Sequence, residues 1–137
     1  MTEQEMVHAA SEYLRNGALR VAIGVPFMSQ CIDLVFENRA CELVAVEFKR
    51  HDWRRAIMQC KTHLLGADLV YICMPERDPS LQLITLLEEY GIGLFMYSPS
   101  QDQVLVEHIP ARPAVRSLDF PHEWLRKAFG ERLGGNP

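Results

Sequence analysis

The chain has 137 residues, 48% of them hydrophobic and 23% charged, with a formal net charge of −4; it can bury a core without disulfide or zinc and is too apolar for disorder. No run approaches the ~18 apolar residues of a membrane span, no collagen or coiled-coil period is present, and a pI near 5.7 argues against holding nucleic acid by bulk positive charge. One domain spanning 1–137 is expected.

Met6, Val7, Ala10, Tyr13 and Leu14 recur at helical spacing and predict a helix over 3–16. Thr2 with Glu5 fits a capping box at its start, and Asn16-Gly17 is its stop. Strands are expected over 19–27 and 32–36, with Asn38-Arg39 turning the chain into a third over 42–49. Trp53, Ala56, Ile57, Cys60 and Leu64 form the apolar stripe of a helix over 53–65, with Gly66 as its C-cap. A buried strand over 68–74 stops at Pro75, a helix over 80–90 ends at Gly91, and strands follow over 93–97 and 103–109. Residues 110–121 are Pro-rich and irregular, 122–133 form a short helix and 134–137 a tail. The order α-β-β-β-α-β-α-β-β-α predicts an α/β domain built on a mixed central sheet with helices on both faces. A dinucleotide-binding fold would need a glycine fingerprint after its first strand; Gly91-Ile92-Gly93 precedes a strand, lacks a third glycine and reads as a turn.

The four cysteines (Cys31, Cys41, Cys60 and Cys73) form no C-x-x-C pair and match no zinc module, so buried thiols in a reducing compartment are expected. Met1-Thr2-Glu3-Gln4-Glu5 is acidic where a secretory or mitochondrial signal would be basic, which points to the cytoplasm and no membrane partner. Charge is unevenly spread. Residues 49–61 carry Lys49, Arg50, Arg54, Arg55 and Lys61 against Asp52 alone, while the segments on either side are net acidic.

Three ionisable residues interrupt apolar strands: Asp33 in Cys-Ile-Asp-Leu-Val-Phe, and Glu47 and Lys49 in Leu-Val-Ala-Val-Glu-Phe-Lys. Strand alternation places Glu47 and Lys49 on one face with Leu43 and Ala45. Asp33 lies in the neighbouring hairpin strand, so two carboxylates and one ammonium are expected to converge. Charges on a buried strand are costly without partners, and two carboxylates suit Mg²⁺, which completes its octahedron with water and substrate oxygens. Such an ion polarises a phosphodiester and activates water, with the lysine stabilising developing charge. A salt-bridged trio with a purely structural role is the plain alternative.

Ile32-Asp33-Leu-Val-Phe, followed thirteen residues after the aspartate by Val46-Glu47-Phe48-Lys49, resembles the PD-(D/E)XK nuclease superfamily, the enzymes with the restriction-endonuclease-like fold. The resemblance extends over about residues 3–97: Arg54-Arg55-Ala56-Ile57-Met58-Gln59-Cys60 looks like the family's next helix, and Gly66-Ala67-Asp68-Leu-Val-Tyr-Ile like its next strand. The name-giving Pro-Asp pair is here Ile32-Asp33. The resemblance implies an αβββαβ core and hydrolysis of DNA with Mg²⁺ or Mn²⁺. Asp33, Glu47 and the Phe48 backbone carbonyl would hold the metal. Lys49 and Gln59 would join the carboxylates in catalysis, and Glu3 is the candidate additional acid from the first helix. Arg50, Arg54, Arg55 and Lys61 would face DNA, although Arg54 and Lys61 project to one side of their helix and Arg55 to another. His51 and His63 could serve as metal ligands or general bases, but read more plainly as polar residues beside a nucleic-acid surface or merely exposed. Small nucleases of this kind commonly dimerise or work in a larger complex. The competing reading is a catalytically inactive module of the same fold that binds nucleic acid or a protein partner; the acidic pI and small size support it.

Overall fold

The computed structural model describes residues 1–100, 102–116 and 118–134; the expected tail beyond Gly134 and Ser117 of the irregular stretch lie outside the described residues. The elements run α1 (Glu3–Asn16), β1 (Arg20–Phe27), β2 (Gln30–Glu37), β3 (Leu43–Phe48), α2 (Trp53–His63), β4 (Leu69–Pro75), α3 (Leu81–Tyr90), β5 (Gly93–Tyr97), β6 (Leu105–Ile109) and α4 (Phe120–Gly134). The strands form one mixed sheet in sequence order. β1, β2 and β3 are antiparallel neighbours, β3, β4 and β5 are parallel, and β6 returns antiparallel on β5. The antiparallel pairs join through short turns, whereas each parallel step needs a helical crossover, here α2 and then α3.

Helices cover both faces. Met6, Val7, Ala10 and Leu14 of α1 pack with Leu34, Phe36, Val44, Val46 and Phe48. On the opposite face, Ala56, Ile57 and Cys60 of α2, Leu83 and Leu87 of α3, and Leu125 and Phe129 of α4 pack with Val35, Leu43, Ala45, Val70 and Ile72. Every residue of β3 is therefore buried, Glu47 included.

Several element ends differ from expectation for local reasons. The capping box forms: Glu5 N–H donates to Thr2 Oγ1 and Thr2 N–H to Glu5 Oε1. α4 begins at Phe120, two residues earlier than predicted, because Pro121 fits a helix's first turn, where its missing N–H has no intrahelical acceptor to lose. α2 closes at Leu64 in right-handed geometry, so Gly66 is not its cap. Gly66 instead leaves room for Phe27, whose ring atom Cζ would lie 2.5 Å from a β-carbon there. Gly91 is the left-handed cap of α3 at φ +73°. Two cysteine expectations are corrected: Cys60 and Cys73 are buried, but Cys31 and Cys41 are exposed. Cys31 sits beside the β1–β2 turn, and Cys41 takes φ +62° at the β2–β3 turn.

The hairpin that carries Asp33 is kinked where the aspartate sits. Ile23 pairs with Leu34 and Val25 with Ile32, which sets Gly24 opposite Asp33. Before this point Ala22 faces the α2 side; beyond it Val25 and Phe27 do, so alternation slips by one residue. Gly24 absorbs the slip at φ +67°, a backbone region that β-branched neighbours such as Ile23 and Val25 avoid.

Candidate metal centre

The β2–β3 ladder runs from Glu37–Leu43 to Leu34–Val46 and stops one rung short of Asp33 and Glu47. Side chains take over where backbone pairing ends. Phe48 N–H donates to Asp33 Oδ2 at 2.9 Å, and Asp33 N–H donates to Glu47 Oε1 at 3.4 Å. The two carboxyl groups are thus tied to each other's strands. Burial, the negative charge of Glu47 and a hydrogen bond to it push the Asp33 carboxyl up to about 7, against the smaller opposing pull of Phe48 N–H. Burial also raises Glu47, partly offset by its hydrogen bonds from Asp33 and by the nearby positive charge of Lys49.

Glu47 has one more partner, which corrects the reading of His63 as an exposed residue. His63 has no exposed side-chain surface, and its Nε2 lies 2.7 Å from Glu47 Oε1. Burial drops the His63 imidazole to about 4, so the ring is neutral. The signal was in the sequence: His63 follows Ala56 by seven residues and Cys60 by three, so it falls in the apolar stripe of α2.

The remaining candidates divide by position. Lys49 is half-buried just beyond β3, and its N–H donates to Cys73 O at 3.0 Å, continuing the parallel pairing. Glu3 is half-buried in the first turn of α1, and its Oε2 accepts the Arg50 N–H at 3.1 Å. Its charge makes a small contribution to raising both Asp33 and Glu47, and its hydrogen bond ties down the turn after Lys49. Gln59 is half-buried, and its buried Oε1 finds no partner among the described residues. The basic residues do not act as one surface. Arg54 reaches Gln82 of α3 at 2.8 Å with its guanidinium over Trp53, and Lys61 Nζ lies 4.7 Å from the Tyr90 ring centre. Arg50, Arg55 and His51 are exposed.

The donor set tests which ion the site would accept. Among the described residues no group of three His, Cys, Asp or Glu side chains converges on one point, and His63 spends its Nε2 on Glu47, so a three-ligand zinc centre does not fit. Mg²⁺ needs fewer protein ligands. No N–H donor among the described residues reaches Asp33 Oδ1 or Glu47 Oε2, so beyond the hydrogen bond between the two carboxyl groups each keeps an oxygen that no N–H engages. The Phe48 N–H points to the β2 side, and a strand residue's carbonyl points the same way as its N–H, which sets the Phe48 carbonyl on the Asp33 side. Two carboxylates forced together, one holding a proton near neutrality, are a site where a divalent cation would relieve repulsion.

No family model matches the chain, and no curated protein matches it. Among solved structures, the SPO1766 protein of unknown function from Silicibacter pomeroyi is similar, with a TM-score of 0.71 at 13% sequence identity over 98% of this chain and 88% of that one. Similarity at this identity shows a shared fold and carries no activity with it.

Proposed function

We propose that this chain is a small metal-dependent phosphodiesterase of the PD-(D/E)XK kind, with a restriction-endonuclease-like fold, that hydrolyses DNA. The observation that carries the reading is the Asp33–Glu47 pair at the frayed end of the β2–β3 ladder, with Lys49 two residues on. Asp33, Glu47 and the Phe48 carbonyl would hold Mg²⁺ or Mn²⁺, which supplies Lewis acidity toward the phosphate and acidifies a water. The chain's own residues do the rest. Glu3 fixes the turn that follows Lys49. The Lys49 ammonium is set to orient the attacking water or stabilise charge gathering on the phosphate, an interaction strongest in the transition state. Arg50 and Arg55 are free to meet the DNA backbone.

A second reading, a nuclease-fold module that binds without cutting, draws on one specific observation. Glu47 is only 2% exposed and already hydrogen-bonded by His63 and Asp33, so its charge can be accommodated without a metal. Calorimetric Mn²⁺ titration beside cleavage assays on plasmid, nicked and branched DNA separates the two. The nuclease reading expects Glu47→Ala to lose both metal binding and cleavage. It expects Lys49→Ala to keep the metal and to cleave ~10²–10³-fold more slowly, as when one electrostatic contact to the transition state is removed. Metal binding without cleavage of any substrate would favour the binding module, and equal metal affinity in the parent and Glu47→Ala would end the site assignment.

A further inference from the structure

Of the chain's five histidines, His63 alone is buried, and it meets the one fully buried carboxylate, Glu47, at 2.7 Å. This pairing is costly. The ring's other nitrogen, Nδ1, is buried with no partner among the described residues, and an apolar side chain would fill the same space without that penalty. The tautomer follows from the geometry. With the proton on Nδ1, an N–H would be buried without an acceptor and the Nε2 lone pair would face a carboxylate oxygen. With the proton on Nε2, the ring donates to Glu47 Oε1 and only a lone pair goes unpaired, the lesser loss.

A glutamate has three rotatable side-chain bonds and is a poor ligand unless something fixes its carboxylate. Of the N–H donors that reach Glu47 among the described residues, the Asp33 backbone is long at 3.4 Å and His63 is short at 2.7 Å, so His63 supplies the tighter N–H restraint. Both bonds fall on Oε1. They pin that oxygen and leave Oε2 with no N–H donor among the described residues.

We propose that His63 is the positioning residue of this site: its Nε2–H clamps Glu47 Oε1 so that Oε2 is presented, with Asp33, to the divalent cation. The inference rests on the metal-site reading above. Partners of this kind, behind a metal ligand, commonly change metal affinity ~10–100-fold when removed.

The test is Mn²⁺ affinity by calorimetry, with thermal unfolding as the control for folding, in the parent, His63→Leu and His63→Gln. Glutamine's side-chain amide can occupy the place of Nε2 and donate to Glu47, whereas leucine cannot. Folded His63→Leu is expected to bind Mn²⁺ ~10–100-fold more weakly, with His63→Gln recovering most of the affinity. A residue that only fills space would alter the melting temperature and leave affinity alone. Parent-like affinity in folded His63→Leu would overturn the positioning role while leaving the metal site standing. No Mn²⁺ binding by the parent would overturn the proposed function and this role with it. Should His63→Leu fail to fold, the imidazole nitrogen signals of the parent decide during titration with Mg²⁺. An Nε2–H resonance that shifts with saturation supports the clamp; an Nδ1–H tautomer, or a ring unmoved by bound Mg²⁺, refutes it.

Discussion

Asp33 and Glu47 stand opposite each other one rung past the end of the β2–β3 ladder, and burial, followed by the negative charge of Glu47 beside it, makes Asp33 hold its proton up to about pH 7. The consequence for stability has a definite sign. Between about 3.8 and 7 the folded protein keeps a proton on Asp33 that the unfolded chain releases, so this contribution is full at low pH and is lost as pH rises through 7. His63 works the other way. Its folded value of about 4 against an ordinary 6.5 makes stability grow with pH across that window. The two nearly cancel below 6.5. Asp33→Asn removes the first, so in metal-free buffer its stability relative to the parent should rise with pH from 4 to 6.5, at up to about 1.4 kcal/mol per unit. Urea unfolding of both proteins across that range measures it; a constant difference would mean that Asp33 titrates as an ordinary aspartate.

Metal binding should release that same proton. A cation between the carboxylates requires both to be ionised. At pH 6, below the Asp33 value of about 7, Mn²⁺ should displace close to one proton per ion from Asp33. By pH 8 this release should have faded. Calorimetry in buffers of different ionisation enthalpy counts the protons directly. Equal release at pH 6 and pH 8 would place the ion elsewhere.

Gly93 opens β5 directly beneath the Tyr71 ring, which stacks on Phe95 with ring centres 4.0 Å apart. A β-carbon at position 93 would overlap that ring and come within 2.7 Å of the Ala111 backbone nitrogen. Tyr71 is further held by its hydroxyl, which donates to Glu107 on β6. The ring cannot swing away without breaking that bond. Gly93→Ala should therefore destabilise the fold by about 1–3 kcal/mol, the usual range for overpacking. Thermal or urea unfolding reads this, and an unchanged midpoint would show that the β5 end can give way.

The chain order of helices and strands was legible because the core-facing stripes of α1 and α2 and the buried run of β3 leave little choice of period. The convergence of Asp33 with Glu47 was legible for a related reason: a tight hairpin between β2 and β3 sets the register, and register sets which side chains meet. What stayed hidden depended on distance across the fold. Gly66 looks like a helix stop in sequence; only its contact with Phe27, 39 positions earlier in the chain, shows why it lacks a side chain. The place of His63 in the apolar stripe of α2 points it to the core, but nothing local announces the buried carboxylate that it meets on β3. The basic window of 49–61 was visible as a charge excess, but its division between two sides of α2 acquired meaning only once α3 was seen to occupy one of them.

That division makes the last prediction. At 100° per residue, Gln59 and Arg55 lie about 40° and 80° around α2 from His63, the residue of that helix that meets Glu47. Arg54 and Lys61 lie about 180° and 160° away, where Arg54 bonds Gln82 and Lys61 sits over Tyr90. A DNA strand whose phosphate reaches Asp33 and Glu47 would pass Arg55, and Arg50 at the turn after β3, while α3 stands between it and Lys61. Each lost phosphate contact lowers the slope of log affinity against log salt by about 1. Arg55→Ala and Arg50→Ala should each show that reduction in salt titrations of duplex binding followed by fluorescence anisotropy. Lys61→Ala should bind as the parent does at every salt concentration. A slope change in Lys61→Ala equal to that in Arg55→Ala would put the DNA path over the α2–α3 groove, away from the carboxylates.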